Sequence, residues 1–205
     1  MRVKLLFSTP LSVLAYAARI SHESNSEDFK EATENITNND IRLIKNLIEW
    51  GHTSPFEHIQ YNFEIFDLSR AALQELVRHR MASYTVRSTR FVLKKLIKDE
   101  KNLSEHLVKI NKDIDEVNIE TLKRTMKLIR KYPNDISKYS IPEALKTHLV
   151  MTINARSLMN FFSLRSSEKA LMEMQILSKK IFESLPKEHR FIFVKFYKNS
   201  GELGE

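Results

Sequence analysis

Four arginines lie within the short segment 78–90, whose sequence is RHRMASYTVRSTR. The segment contains no acidic residue, so it carries four of the chain's seven net positive charges. Ser88 and Thr89 stand beside the last of these arginines, Arg90. Planar guanidinium groups among hydroxyl groups suit the bidentate recognition of a phosphate or a pyrimidine. The segment therefore indicates an anion-binding site, since a basic end to the preceding helix would account for only one or two of the arginines.

A second candidate is segment 51–58, GHTSPFEH, which combines two histidines with a glutamate. A metal site is the first chemistry that such a group suggests. The H-x5-H spacing is not that of known zinc sites, however, and no H-E-x-x-H occurs in the chain. We therefore predict no metal site and expect a turn at Ser54 and Pro55, with Glu57 capping the backbone. A ligand contact by His52 or Ser54 stays open.

The third candidate is segment 154–165, NARSLMNFFSLR. Arg156, Asn160 and Ser163 recur there at helical spacing, which puts them on one face of a helix. Polar groups aligned beside apolar residues suit the flat, polar-edged ring of a base or a cofactor. A helix that buries its apolar side and solvates the other side explains the same pattern equally well.

Composition excludes several classes of protein. Only three glycines occur, Gly51, Gly201 and Gly204, so neither a G-x-G-x-x-G turn nor a Walker loop can form. There is no cysteine, which excludes thiolate metal sites and a thiol nucleophile. The net charge of +7 suits nucleic acid, an anionic surface or a phosphorylated ligand. No apolar run approaches the roughly 20 residues that cross a bilayer, so we expect a cytoplasmic protein without a membrane segment.

The elements that must position these segments form an α+β pattern. Alternating apolar residues predict strands at 58–66 and 148–154, and a further strand is predicted at 2–7. The predicted helices are Leu11–Ile20, a helix capped by Asn38, Asn39 or Asp40 and ended by Gly51, a helix capped by Asp67 or Ser69 that runs to about His79, and a helix with the apolar stripe Ala170, Met174, Leu177, Ile181 and Leu185. The arginine-rich segment is predicted to be a polar loop. We interpret residues 1–205 as one domain with a helical insert at about 93–140.

Taken together, the three segments resemble the flavin-dependent thymidylate synthases, the ThyX family. The hallmark of that family is Arg-His-Arg, seven residues of any type and then Ser, which Arg78, His79, Arg80 and Ser88 match. Segment 52–58 matches its H-x-[ST]-P-F-E-H pattern, and segment 154–165 matches N-A-R-S-L-x-N-F-x-x-L-R. The order and spacing agree over about residues 2–197.

The resemblance implies the synthesis of dTMP from dUMP. Methylenetetrahydrofolate would supply the carbon, FAD would carry the hydride and NADPH would reduce the flavin. Members of the family are homotetramers with sites at subunit interfaces. The fold that the resemblance implies is a mixed or antiparallel sheet core flanked by helices. The missing cysteine agrees with this interpretation, because the classical thymidylate synthases activate uracil with a cysteine nucleophile. Here arginines would have to activate the ring electrostatically.

The resemblance also implies roles for individual residues. Contacts with FAD are implied for Ser54, Arg78, His79, Arg80, Asn154, Arg156 and Asn160. Contacts with dUMP are implied for Glu75, Arg78, Ser88, Thr89, Arg90, Lys138 and Arg165. The catalytic residues would be Arg165, which would face the uracil ring, and His52, which would border the flavin and folate channel. The chain departs from the family pattern at three positions, because many members have Gln, Glu and Arg where Glu75, Val86 and Lys138 stand.

Two other classes of function are compatible with parts of the sequence. A nucleic-acid-binding protein could use segment 78–90 as its phosphate contact, although Tyr84 is the only aromatic residue in that segment. A catalytically silent scaffold could retain the fold, but it would need neither the Arg-His-Arg triplet nor Arg165. Binding of FAD separates both alternatives from the enzyme.

Overall fold

The computed structural model of the chain describes residues 1–20 and 35–198. Four strands form one antiparallel sheet in the order β1-β2-β4-β3. They are β1 (Arg2–Ser8), β2 (Gln60–Ser69), β3 (Ala82–Val86) and β4 (Lys146–Asn154). This sheet with its many helices confirms the predicted α+β class.

Eight α-helices lie within the described residues. They are α1 (Leu11–Ile20), α2 (Asn38–Trp50), α3 (Arg70–Leu76), α4 (Thr89–Lys98), α5 (Lys112–Lys131), α6 (Asn134–Ser137), α7 (Ala155–Arg165) and α8 (Met172–Ser184). Short 3-10 turns occur at Ser54–His58, Glu100–His106, Lys138–Ser140 and Lys187–Ile192. None of the helices that the structure describes is long and apolar enough to cross a membrane.

The strands β2 and β4 show the alternation that their sequences predict. Along β2, Tyr61, Phe63 and Ile65 are fully buried, while the residues between them are partly exposed. Successive side chains of a strand point to opposite faces, so one face of β2 belongs to the core. Both strands begin at other residues than predicted, and β2 extends to Ser69 rather than to residue 66.

The strand β3 corrects the sequence analysis, which predicted a polar loop in the arginine-rich segment. Residues Ala82–Val86 pair at the edge of the sheet. Tyr84, Thr85 and Val86 are residue types that favour strands, and the surrounding arginines concealed that preference. The Tyr84 hydroxyl donates a hydrogen bond to the carbonyl of Leu76 at 2.9 Å, and burial raises the pKa of Tyr84 to about 12.

The helices have the predicted kinds of capping interaction, although not always at the predicted residues. Thr37, rather than Asn38, Asn39 or Asp40, caps α2, and Asp40 completes a reciprocal capping box as the third helical residue. Gly51 ends α2 in the left-handed region with φ 74°, where glycine carries no steric penalty. Ser69 caps α3 as predicted, but α3 ends at Leu76 instead of near His79.

The chain divides into two compact units. Unit 1 contains residues 1–2, 65–78 and 84–150, and unit 2 contains residues 3–64, 79–83 and 151–205. The segment between β3 and β4 carries α4, α5 and α6 and belongs to unit 1, where leucines of α4 pack with Leu122 and Met126 of α5. Unit 2 contains an aromatic cluster in which Phe162 contacts Phe182, Phe193 and Tyr197. One catalytic domain over 1–205 stays a prediction.

Candidate functional site

The predicted site residues belong to two sets, one in each unit. The set in unit 2 is His52, Ser54, His79, Arg80, Asn154, Arg156, Asn160 and Arg165. The set in unit 1 is Glu75, Arg78, Ser88, Thr89, Arg90 and Lys138.

In unit 2, the helix α7 exposes two residues of the predicted polar face, whereas the third, Ser163, donates its hydroxyl to the Met159 carbonyl of the same helix at 3.1 Å. Asn154 caps the helix, and its side-chain oxygen accepts a hydrogen bond from the Ser157 amide at 2.8 Å. Arg156 and Asn160 are exposed, whereas the apolar residues of the helix, Leu158, Phe161 and Phe162 among them, are buried. The buried side holds the helix in place, so the Arg156 guanidinium and the Asn160 amide lie on its exposed side.

The turn that precedes β2 contacts this helix through an ion pair. Pro55 is the second residue of the 3-10 turn Ser54–His58, and Glu57 Oε1 contacts Arg156 Nη1 at 2.5 Å. We expected Glu57 to cap the backbone, and the sequence does not predict this pair. His52 and Ser54 are both exposed beside the turn. Among the described residues, no three His, Asp or Glu side chains meet as metal ligands would.

His79 and Arg165 are hydrogen-bonded to each other in unit 2. The Arg165 Nε donates to His79 Nε2 at 3.0 Å, across 86 positions of sequence. His79 is buried, and its ring meets Phe161 edge to face with centroids 5.1 Å apart. Arg165 is half-buried at the end of α7. The resemblance implied a FAD contact for His79 and did not anticipate this bond.

In unit 1, three of the predicted residues lie at the beginning of α4. Ser88 is the residue before the first helical one, and its side chain makes no capping hydrogen bond. Thr89 and Arg90 open the helix, and its first turn contains no acidic residue. The first amides of a helix have no partner within it, and the helix dipole favours an anion at that end. Hydroxyl, guanidinium and backbone donors therefore meet where a phosphate would be bound favourably.

Arg90 already has an exposed carboxylate partner. Its Nη1 lies 3.3 Å from Asp135 Oδ1, and both side chains are more than half exposed. Asn134 donates a hydrogen bond to the Arg90 carbonyl at 3.1 Å. These residues and Phe91 line an open cavity of about 380 Å³. Exposed ion pairs are worth roughly 0–1 kcal/mol, so a ligand anion can replace the carboxylate at small cost.

Arg70 is a residue that the sequence analysis missed. Its Nη1 donates to the Thr89 hydroxyl at 2.9 Å, which brings a further cation to the beginning of α4. Its Nε is buried without a hydrogen-bond partner in the described part of the chain. Arg70 precedes Thr89 by 19 positions and lies outside every motif, so no spacing rule could have indicated the contact.

The remaining members of the unit 1 set lie at exposed or partly exposed positions. Arg78 Nη1 is 3.8 Å from Glu75 Oε1, one helical turn before it. Lys138 belongs to the 3-10 turn Lys138–Ser140, which packs against α4. Its ammonium group lies 5.5 Å from the centre of the Tyr139 ring. The packing brings Lys138 close to the helix that carries Thr89 and Arg90.

The matches to known proteins cover almost the whole chain. Residues 4–189 match the family model Thy1, thymidylate synthase complementing protein. The flavin-dependent thymidylate synthase of Campylobacter jejuni strain RM1221 is 42% identical over 94% of this chain and 96% of its own length. That of Helicobacter pylori strain 26695 is 41% identical over 90% of this chain and 93% of its own length.

A solved structure has the same fold. The crystal structure of flavin-dependent thymidylate synthase ThyX from Helicobacter pylori, complexed with FAD and dUMP, matches with a TM-score of 0.86 and 38% identity. The match covers 97% of this chain and 100% of that one. Family model, relatives and fold agree with the resemblance drawn from the three motifs: the chain belongs to the Thy1 family, the thymidylate synthase complementing proteins.

Proposed function

We propose that this chain is a flavin-dependent methyltransferase that converts dUMP to dTMP. Methylenetetrahydrofolate donates the carbon, FAD carries the hydride, and NADPH reduces the flavin. The observation that carries the proposal is the beginning of α4, where Ser88, Thr89 and Arg90 supply hydroxyl and guanidinium donors beside the first backbone amides of the helix. The likeness to a relative complexed with FAD and dUMP supports the same ligands here.

The phosphate of dUMP binds to the unit 1 set. The backbone amides at the beginning of α4, the Ser88 and Thr89 hydroxyls and the Arg90 guanidinium are donors suited to phosphate oxygens. Arg78 and Lys138 add positive charge, and Glu75 contacts the nucleotide away from its phosphate. Lys138 offers a point charge rather than a fork, so it holds the phosphate with less directional specificity than an arginine would.

Arg165 performs the activating role on the uracil ring. A guanidinium beside N3 and the neighbouring carbonyl of uracil stabilises the negative charge that develops there when a bond forms at a carbon on the opposite side of the ring. Arginine can do this at any physiological pH because its side chain stays protonated. The chain has no cysteine, so this electrostatic route replaces covalent activation of the ring. His52 borders the channel through which the folate enters.

Four exposed residues of the unit 2 set fit FAD by their donor chemistry. Arg80 and Arg156 are exposed cations, and Asn160 and Ser54 are exposed hydrogen-bonding groups, as a pyrophosphate and a polar ring edge require. Asn154 holds the helix that carries two of them. FAD supplies the hydride when it is bound, and the chain's own contribution is to bind and orient both ligands.

We further propose a cytoplasmic homotetramer in which residues 1–205 act as one catalytic domain and sites are shared between subunits. Several large apolar side chains are exposed, among them Trp50, Met81 and Phe91. Met81 and Phe91 directly follow Arg80 and Arg90, so apolar surface adjoins the candidate site residues. Such surface is expected where another subunit packs.

A titration with FAD and a measurement of mass test this proposal together. The purified protein should be yellow or become yellow with added FAD, quench FAD fluorescence on binding, and sediment as a tetramer. dUMP and methylenetetrahydrofolate with NADPH should then yield dTMP. A monomer that binds no FAD would contradict the proposal and would favour the nucleic-acid-binding alternative, which predicts binding of oligonucleotides and no flavin.

A further inference from the structure

His79 is the buried member of the Arg78-His79-Arg80 triplet. His79 is 8% exposed, whereas both flanking arginines are exposed. The ring packs edge to face on Phe161 of α7, with planes at 64°. So small an exposed surface leaves little of the imidazole for a bound molecule to touch.

The hydrogen bond to Arg165 defines the protonation of this ring. Arginine stays protonated in proteins, so its Nε always donates. The His79 Nε2, which lies 3.0 Å away, must therefore be unprotonated to accept. The imidazole is consequently neutral and carries its hydrogen on Nδ1.

The same bond restricts the orientation of Arg165. Nε lies in the plane of the guanidinium, so an acceptor at Nε restrains rotation of that plane at the end of a long side chain. Donors stabilise a transition state only when they already point to the place where charge develops. A displacement of about 1 Å can cost about a hundredfold in rate. A buried, well-packed acceptor is suited to prevent such a displacement.

We propose that His79 is a positioning residue that acts through Arg165 by holding its guanidinium in the orientation used on the uracil ring. The inference rests on the proposed function, in which Arg165 faces that ring. It assigns His79 a role different from the FAD contact that the family resemblance implies. The two roles predict different responses of FAD affinity and of turnover.

Two substitutions separate the acceptor from the packing. His79→Phe keeps a ring against Phe161 and removes the acceptor, whereas His79→Gln keeps an acceptor oxygen at a similar reach. We expect His79→Phe to lower kcat about tenfold, with the FAD dissociation constant within about threefold of the wild-type value. His79→Gln should restore most of the lost turnover. The control is His189→Phe, a change of another buried histidine, which should alter stability without lowering kcat in the folded holoenzyme.

A double-mutant cycle then tests whether His79 acts through Arg165. Lysine has no Nε–H in a guanidinium plane, so His79→Phe should cause no further loss of kcat in an Arg165→Lys background. Nitrogen chemical shifts of the His79 ring in the wild-type holoenzyme should report the hydrogen on Nδ1. These two results together support the positioning role.

Other results overturn the proposal. Multiplicative losses in the double variant, weaker FAD binding as the main effect of His79→Phe, or a hydrogen on Nε2 would each do so. The wild-type enzyme is assayed first, because a wild type that binds FAD and dUMP but forms no dTMP refutes the proposed function and the role of Arg165 with it. Normal wild-type turnover combined with multiplicative losses refutes the positioning role alone.

Discussion

Arg165 in unit 2 and Arg90 in unit 1 are both proposed to bind a ligand, yet their surroundings differ. Arg90 is 61% exposed and is paired with Asp135, which is 62% exposed. Arg165 is half-buried and is hydrogen-bonded to the buried His79. An exposed ion pair contributes little and exchanges its partner easily. The comparison teaches that the two arginines suit different tasks, capture of a phosphate for Arg90 and a fixed orientation for Arg165.

The largest expected effect is that of Arg165→Ala on the chemical step. A hydrogen bond to a charged group is worth about 1.5–3 kcal/mol, so dTMP formation should slow about ten- to a hundredfold or more. Arg165→Lys should be less harmful because it keeps the charge and loses only the planar fork. Single-turnover kinetics measures this, with Lys169→Ala, an exposed lysine, as the control. Wild-type dTMP formation by Arg165→Ala, with NADPH still reducing the flavin in all variants, would refute the assignment.

Loss of a buried polar pair in unit 2 should lower the free energy of unfolding more than loss of an exposed hydroxyl. The Tyr61 hydroxyl is hydrogen-bonded to His189 Nδ1 at 2.9 Å, and both residues are buried. Tyr61→Phe leaves that nitrogen buried without its partner, so the free energy of unfolding should fall by about 1–3 kcal/mol. Urea denaturation measures the change. The matched control is Tyr139→Phe, whose residue is 85% exposed and should change stability by less than about 0.5 kcal/mol. Equal changes in the two variants would contradict the contrast between buried and exposed positions.

Arg70→Met should weaken phosphate recognition in unit 1. The variant loses the hydrogen bond to Thr89 and a positive charge at the beginning of α4. We expect the KM for dUMP to rise about two- to tenfold with kcat retained. Arg87→Met removes an equal charge from an exposed position that contacts His148, and it serves as the control. Binding of deoxyuridine, which has no phosphate, should be the same in all three proteins; a parallel loss for deoxyuridine would place the effect of Arg70 elsewhere.

Ser88→Ala should give an effect of similar or smaller size. The Ser88 side chain makes no capping bond, so α4 should keep its stability, and the phosphate should lose one neutral donor. A hydroxyl without a paired base is a weak nucleophile, and we expect binding rather than chemistry from it. Steady-state kinetics should show measurable turnover with a KM for dUMP raised by about two- to tenfold. Loss of all chemistry with intact dUMP binding would identify Ser88 as a nucleophile after all.

The smallest expected effect is the pH dependence of stability from His189. Burial lowers the pKa of His189 below its ordinary value, and the nearby Glu188 carboxylate only partly offsets this. Above the ordinary pKa, near 6.5, both folded and unfolded states are neutral at this residue. As the pH falls below it, the unfolded state binds a proton first, so stability decreases from pH 7 to pH 5. Denaturation of His189→Gln should show a shallower decrease, and an unchanged slope would contradict the assignment.

Several features could be predicted because they depend on neighbours in sequence. Leu11–Ile20 was predicted with the observed bounds, and Gly51 ends α2 because the left-handed conformation is local. The burial pattern of β2 follows from its alternating residues. Errors arose where two local signals competed. Thr37 caps α2 although Asn38, Asn39 and Asp40, which follow it, are residue types that cap helices at least as well. The strand β3 forms where charged residues suggested a loop.

The sequence by itself determined the family and the candidate residues, because the three motifs and their spacing can be read along the chain without knowledge of the fold. It also determined the absence of a cysteine nucleophile and of a glycine-rich phosphate loop. Only the tertiary structure decided which side chain each candidate contacts. Arg165 bonds to a histidine 86 positions away, and Arg70 reaches Thr89 from a separate helix. Such contacts depend on how helices and strands pack, and no periodicity along the chain encodes the distance between two side chains on different elements.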